Sequence, residues 1–213
     1  MKRKLSCPCD NSFDVEIPEE IDLDNSAYMD EIQDGSFLSF SCTGCGKKHK
    51  PEFPILVLWP SRELLFEVFP VLDRGEFYRR KKTPPAKSEL HSQLKLETII
   101  GYPELADRLA VIRDGFEPAA VEAIKYFLHV KAEEQYPDDE IDIWYYGFSE
   151  GDSLEFHIHG IRQSEVAVMK VPWSLYERTL EDYKNDPKGE IFSALRVHSY
   201  LSVKNTMRHG VYR

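Results

Sequence analysis

The chain has 213 residues, and its 37 acidic and 27 basic side chains give a formal net charge of -10. This charge disfavours generic binding to nucleic acid or to an anionic membrane, since phosphate binding depends on Lys and Arg. The most apolar run, FPILVLWP, is far shorter than the roughly 20 residues of a membrane helix. We expect a cytoplasmic protein without a membrane partner, because no apolar stretch follows the basic start as a signal peptide requires.

The first hundred residues predict a small β module. Alternation of apolar and acidic side chains at Phe13, Val15 and Ile17 indicates a strand, and SFLSFSC indicates a second one. NSAYMDEIQDG, between them, predicts a short helix. The runs EFPILVLWP and ELLFEVFPVL are also rich in β-forming residues. We therefore expect one small antiparallel sheet that carries all four cysteines.

A polar, basic segment separates the two halves of the chain. RRKKTPPAKSELHSQ, at residues 79–93, contains two adjacent prolines and predicts a loop or linker. The pattern changes after it, from strands to long helices. We accordingly divide the chain into a cysteine-paired β module at residues 1–100 and an α+β domain at residues 101–213.

The second half predicts helices packed on an antiparallel sheet. PELADRLAVIRDG and PAAVEAIKYFLHVKAEEQY have the apolar spacing of helices. IDIWYYGF and SLEFHIHGI around SEGD indicate a hairpin, EVAVMKV a third strand, and PWSLYERTLEDYKND a further helix. For residues 186–213, a helix followed by a strand and a single helix both remain open. The fold class expected for the whole chain is α+β.

The four cysteines are the strongest chemical signal in the sequence. They form two close pairs, Cys7 with Cys9 and Cys42 with Cys45. In a reducing compartment such pairs are more often a metal site than two disulfides. Thiolates are soft, charged donors that suit the tetrahedral coordination of Zn²⁺, and four of them leave no position for a substrate. We predict one structural zinc ion per chain.

Other interpretations of the cysteines remain open. Iron could replace zinc, or the four side chains could be buried without a metal. Cys42 and Cys45 could instead form a redox dithiol, but a thioredoxin-type motif should open a helix. Pro51 and Pro54 make a helix unfavourable there.

The segments LSCPCDNSF and DGSFLSFSCTGCGKKHKPEFPILVLWP, followed by FEVFP and ELADRLAVIRDGFEPAAVEAIKYFL, resemble the CpXC-domain family of bacterial proteins. The resemblance covers roughly residues 5–130. It implies a zinc-ribbon-like module with the four cysteines as metal ligands, and no activity, since the family is functionally uncharacterised. The chain departs from the family pattern at Cys7-Pro8-Cys9, where the pattern has one more residue between proline and cysteine.

A second group of side chains could bind a catalytic metal. One predicted strand has a polar side chain at every second position, namely Glu155, His157 and His159, and these three side chains therefore share a face. Two histidines and a carboxylate suit a catalytic metal ion, which would make the protein an enzyme. The competing interpretation is a solvated hairpin face opposite a core of Leu154, Phe156 and Ile158.

The basic turn after the second cysteine pair has two interpretations as well. His49 could replace a missing cysteine ligand, or it could belong with Lys47, Lys48 and Lys50 to a solvated turn. Together with the basic segment at 79–82, this turn could contact nucleic acid, as zinc ribbons often do. No aromatic stacking pattern accompanies it. We therefore favour a protein that binds another protein or itself, with a possible homodimer, over the metal-dependent enzyme and the nucleic-acid-binding protein.

Overall fold

The computed structural model describes residues 1–25, 27–79, 93–137, 139–149, 152–162 and 165–210. It contains both helices and strands, and its sheets include antiparallel strands, which confirms the predicted α+β class. The chain divides into two compact units, Met1–Ala106 and Asp107–Arg213. The predicted linker at 79–93 falls almost wholly on residues 80–92, which lie outside the described residues.

The first unit contains short strands and two short helices in its described part. In chain order the elements are β1 (Lys2–Ser6), β2 (Ser12–Glu16), β3 (Glu20–Asp22), α1 (Tyr28–Gln33), β4 (Phe40–Ser41), β5 (Lys48–His49), β6 (Ile55–Trp59), β7 (Leu64–Phe69), α2 (Arg74–Arg79) and β8 (Lys95–Ile100). Short 3-10 turns occupy Leu23–Asn25, Pro60–Arg62 and Val71–Asp73. The helix α3 (Tyr102–Arg113) begins in this unit and ends in the second.

The strands of the first unit do not form the single antiparallel sheet that we expected. β1 pairs with β2, and β4 with β5, as two separate antiparallel hairpins. The larger sheet is mixed: β6 pairs antiparallel with β7, whereas β3 pairs parallel with β6 and β8 parallel with β7. Long connections run from β3 to β6 and from β7 to β8, and such crossovers permit parallel pairing.

The central strands of the mixed sheet are buried because they carry almost continuous apolar side chains. Val57 on β6 and Phe66 and Val68 on β7 have no exposed surface. Strands that are covered on both faces show such runs, in contrast to the alternation along β2. This sheet is therefore the core of the first unit, and the cysteine hairpins lie outside it.

The second unit is built on a three-stranded antiparallel sheet in the order β11-β10-β9. Its described elements are α4 (Pro118–Gln135), β9 (Asp142–Ser149), β10 (Ser153–Arg162), β11 (Glu165–Pro172), α5 (Trp173–Asn185), α6 (Glu190–Ala194), β12 (Arg196–Val197), β13 (Tyr200–Leu201) and a 3-10 helix, Val203–Gly210. For residues 186–213 the sequence left two alternatives open. In its described part, which ends at residue 210, this stretch forms a short helix, a two-stranded hairpin and a 3-10 helix.

One face of the three-stranded sheet packs on helices. Leu154, Phe156 and Ile158 of β10 are buried in one cluster with Ile124 and Leu128 of α4. The predicted hairpin and the predicted inward side chains are both confirmed. The side chains at alternate positions of the strands lie on the opposite face of the sheet.

A buried network of charged side chains ties α3 to α4. The Lys125 ammonium lies 2.5 Å from an oxygen of Asp107 and 2.8 Å from one of Glu122. The second oxygen of Glu122 accepts the backbone N–H of Val203, and Arg108 donates to the carbonyl of Leu201. The paired charges offset the cost of burying each of them, so the network anchors the C-terminal segment to the two helices.

Candidate metal centre

The four cysteines lie on the turns of the two hairpins of the first unit. Cys7 and Cys9 lie between β1 and β2, and Cys42 and Cys45 lie between β4 and β5. The apolar side chains Phe13 and Val15 of β2 are buried with Cys7 and Cys42 in one small cluster. The inward-facing side chains of β2 therefore pack against a cysteine of each turn and hold the two turns next to each other.

The first turn accommodates two cysteines that are only one residue apart. The Cys7 N–H donates to the carbonyl of Asn11 at 2.9 Å, and the Asp10 N–H donates to the carbonyl of Cys7 at 3.0 Å. Asp10 has a left-handed backbone with φ of 64°, a conformation that short polar residues such as Asp tolerate better than most. The tight turn at Asp10 therefore closes the loop despite the short spacing.

The second turn, residues 42–47 between β4 and β5, is closed by backbone hydrogen bonds. The Cys42 N–H donates to the carbonyl of Lys47 at 2.9 Å, and the Gly46 N–H donates to the carbonyl of Cys42 at 2.9 Å. Gly46 has a φ of 73°, which explains the glycine at that position. The glycine at position 44 has a different explanation: the Cβ atom of any other residue there would lie only 3.1 Å from the Cβ atom of Asn11. The two turns thus approach each other closely at Gly44.

The four sulfur atoms converge. The Cys7 and Cys45 sulfurs lie 3.6 Å apart, the Cys9 and Cys42 sulfurs 3.7 Å apart, and all four lie within 4.8 Å of one another. Four thiolates at about 2.3 Å from a tetrahedral zinc ion lie about 3.8 Å from each other. The arrangement therefore fits a single metal ion between the two hairpins.

Hydrogen-bond donors surround the sulfur cluster. The Asn11 side-chain amide donates to the Cys42 sulfur at 3.4 Å, and the Gly44 backbone N–H donates to it at 3.3 Å. A ring nitrogen of His49 lies 3.3 Å from the Cys7 sulfur. Such donors orient thiolate ligands and stabilise their negative charge.

Without a metal, the cysteines differ in acidity. The Asn11 amide, aided by backbone hydrogen bonds from Cys45 and Gly44, outweighs burial and lowers the pKa of Cys42 to about 6. A backbone hydrogen bond from Cys9 lowers the pKa of Cys7, but burial and hydrogen bonds with the other cysteines outweigh it and raise that pKa to about 12. The metal-free cluster therefore holds a thiolate at Cys42 beside a thiol at Cys7.

The structure adds Asn11 to the site that the sequence predicted and places His49 beside the sulfurs. Asn11 was missed, although a side-chain amide two residues after a cysteine on a tight turn is the kind of donor that sulfur ligands need. His49 is half-buried and contacts Cys7, which favours the interpretation that places it at the sulfurs over that of a solvated turn. Lys50 directly follows β5 and is exposed, and its ammonium donates to the Gly35 carbonyl.

The histidine face of the second unit does not form a comparable group. Among the described residues, the four cysteines are the one set of three or more His, Cys, Asp or Glu side chains placed to hold an ion. His157 instead hydrogen-bonds Glu155 at 3.1 Å and stacks on Tyr146, with ring centroids 4.0 Å apart. His159 is exposed and is not part of such a set.

The chain belongs to the CpXC family, because the family model described as CpXC protein matches residues 5–125. It is also similar to an uncharacterized protein of Treponema pallidum (strain Nichols), with 29% identity over 95% of this chain and 97% of the relative. No solved structure matches the chain. Within the described residues, no helix has both the length and the apolar character needed to cross a bilayer.

Proposed function

We propose that this protein is a zinc-stabilised interaction protein, in which Cys7, Cys9, Cys42 and Cys45 bind one structural Zn²⁺ per chain. The observation that carries this proposal is the convergence of four sulfur atoms from two hairpins within 4.8 Å. Thiolate donors favour zinc over the harder divalent cations. Four of them complete its coordination, so the ion would stabilise the fold and perform no chemistry. A site of four thiolate ligands requires reduced cysteines, which is consistent with the cytoplasmic location that we propose.

The proposed role of zinc is to hold the two cysteine hairpins together. β4 and β5 have two residues each, and few buried apolar side chains join the two hairpins. A structural zinc site contributes about 10–16 kcal/mol in small zinc modules, which exceeds what so small a core supplies. We therefore expect the hairpins to lose their fold when the metal is removed.

A chelator titration tests this role. NMR spectra of the isotopically labelled protein are recorded before and after chelation and again after zinc is added back. We expect the amide signals of the two hairpins, residues 2–16 and 40–49, to lose their dispersion on chelation and to recover with zinc. Hairpin signals that stay unchanged after complete removal of the metal would overturn the structural role.

The partner that we propose is a second copy of the chain, bound through strand β11. Residues 165–170 of this strand are all exposed, and β11 lies at the edge of its sheet. Natural edge strands are commonly protected by charge, proline or a bulge. The four consecutive residues Val166–Met169 carry neither charge nor proline, and Val168 is 55% exposed. Such an edge favours the addition of another strand.

The sequence of β11 is compatible with pairing to itself. In an antiparallel pair about a two-fold axis at Val168, Val166 lies opposite Lys170 and Ala167 lies opposite Met169. No like charges then face each other, and apolar side chains meet at the centre. The pairing would join two three-stranded sheets into one continuous sheet of six strands.

Light scattering coupled to gel filtration tests the proposed dimer. We expect the wild type to have twice the mass of one chain, and Val168→Lys to be a monomer because it places two ammonium groups opposite each other. Val130→Lys, which adds the same charge at an exposed position of α4, should remain a dimer. A wild-type monomer at every concentration, or an equal effect of both substitutions, would refute the proposal while leaving the zinc site untouched.

A further inference from the structure

The second unit contains a cleft beside helix α5. Its volume is about 530 Å³, within the range of roughly 300–1,000 Å³ that is typical of ligand sites. One wall is the corner between α3 and α4, residues 114–116. The other wall is one face of α5, formed by Trp173, Tyr176, Glu177, Leu180, Glu181 and Lys184.

Aromatic rings form the apolar part of the cleft. The ring centroid of Phe116 lies 5.0 Å from that of Tyr176 and 6.0 Å from that of Trp173, and Trp173 lies 5.0 Å from Tyr176. Phe116 and Tyr176 are buried, whereas Trp173 is only half-buried. Trp173 therefore offers accessible aromatic surface, and aromatic faces attract cations.

Two exposed carboxylates stand beside these rings. Glu177 and Glu181 are four residues apart on α5 and repel each other, since like charges at this spacing are unfavourable. Neither forms an ion pair within the part of the chain that the structure describes. Asp114, in contrast, accepts hydrogen bonds from Arg113 and from the Tyr145 hydroxyl. Lys184 also lines the cleft, so an excess of negative charge remains beside the aromatic wall.

We propose that this cleft binds the guanidinium or ammonium group of an organic cation between Trp173 and the carboxylates of Glu177 and Glu181. A guanidinium plane can stack on an aromatic ring and pair with a carboxylate at the same time. A bound cation also relieves the repulsion between the two glutamates. The site goes beyond the zinc and dimer proposals and depends on neither.

Binding is tested on the full zinc-containing chain with a tripeptide, acetyl-Gly-Arg-Gly-amide. Its analogue with citrulline replaces the guanidinium by a neutral group of the same shape. We expect the arginine peptide to shift the indole N–H signal of Trp173 and to bind at least about tenfold more tightly than the citrulline peptide. Spermidine serves as a free polyamine: tighter binding of spermidine identifies a small-molecule cation, and tighter binding of the peptide identifies a partner polypeptide.

Matched variants distinguish cation binding at the cleft from nonspecific attraction of cations to an acidic protein. Glu177→Gln/Glu181→Gln should weaken cation binding about tenfold, whereas Glu133→Gln/Glu134→Gln removes the same charge from exposed positions of α4 and should leave binding unchanged. The amide spectra of both variants verify that they fold. The proposal is overturned if neither cation binds, if citrulline binds as well as arginine, or if both double variants weaken binding equally.

Discussion

The side-chain amide of Asn11 donates a hydrogen bond at 3.4 Å to the sulfur of Cys42, which lies 31 positions further along the chain. The same amide donates to the hydroxyl of Thr43 at 2.9 Å. Asn11 therefore links the two cysteine hairpins directly. Because it stabilises negative charge on Cys42, it supports the proposed metal site without being a ligand.

Replacing Asn11 should weaken zinc binding. We expect Asn11→Ala to lower the zinc affinity about 10- to 100-fold, the usual effect of removing a hydrogen-bond partner of a metal ligand. Competition with a chelating zinc indicator measures this change. Asn25→Ala is the control, since the Asn25 amide binds the carboxylate of Asp22 at an exposed site. Equal affinities of wild type and Asn11→Ala would contradict the role assigned to Asn11.

Zinc binding should release protons. At pH 7 Cys42, with a pKa of about 6, is already a thiolate, whereas Cys7, with a pKa of about 12, is a thiol that must lose its proton to bind the metal. Zinc affinity should therefore rise with pH from 6 to 8, and it should fall more steeply below pH 6, where Cys42 also becomes protonated. Calorimetric titrations in buffers of different ionisation heat count the protons. An affinity that is independent of pH would contradict this account.

The buried ion network of the second unit makes a prediction about stability. Lys125→Met leaves the carboxylates of Asp107 and Glu122 buried without their ammonium partner, which should lower the free energy of unfolding by about 3–5 kcal/mol. Lys131→Met, at an exposed position of the same helix, should change it by no more than about 0.5 kcal/mol. Urea denaturation measures both. Similar values for the two variants would mean that the network contributes little.

His129 should make the protein sensitive to acid. It is 4% exposed, its Nε2 has no hydrogen-bond partner among the described residues, and burial and the charge of Lys204 lower its pKa to about 4. The unfolded chain therefore binds a proton near pH 6.5 that the folded chain takes up only near pH 4. Stability should fall as the pH drops from 6.5 to 4, by at most about 3 kcal/mol from this group.

His129→Leu tests the origin of the acid sensitivity. The variant should lose much of the decrease in unfolding free energy between pH 6.5 and pH 4 that the wild type shows. Denaturation at several pH values measures the slope. A slope that the substitution leaves unchanged would assign the acid sensitivity to other groups.

The sequence predicted the cysteine cluster because thiol pairs on short turns have few other uses in a reducing compartment. It could not predict Asn11 as a neighbour of the sulfurs, or decide between the two interpretations of His49, because both contacts depend on how the two hairpins meet. Gly44 shows the same limit. The close approach of the Asn11 side chain, which belongs to the other hairpin, explains the glycine at this position.

Strand pairing was predicted less well than strand positions. The positions of β2 and β6 could be predicted, because local side-chain patterns (alternation in β2, an apolar run in β6) indicate a strand. The parallel pairing of β3 with β6 and of β8 with β7 could not, because it depends on where long connections return the chain. In the second unit, hairpin contacts are local, and the inward side chains Leu154, Phe156 and Ile158 were predicted correctly. The stacking of His157 on Tyr146 depends on a register shift next to Glu155, which no local pattern indicates.

The metal content of the protein, purified without added metal, tests the central claim most directly. Mass-spectrometric elemental analysis should find one zinc ion per chain in the wild type and in His49→Ala, and none in Cys42→Ser/Cys45→Ser. A wild type that contains no metal, or a double cysteine variant that retains its zinc, would contradict the proposal that these four sulfur atoms bind one structural ion.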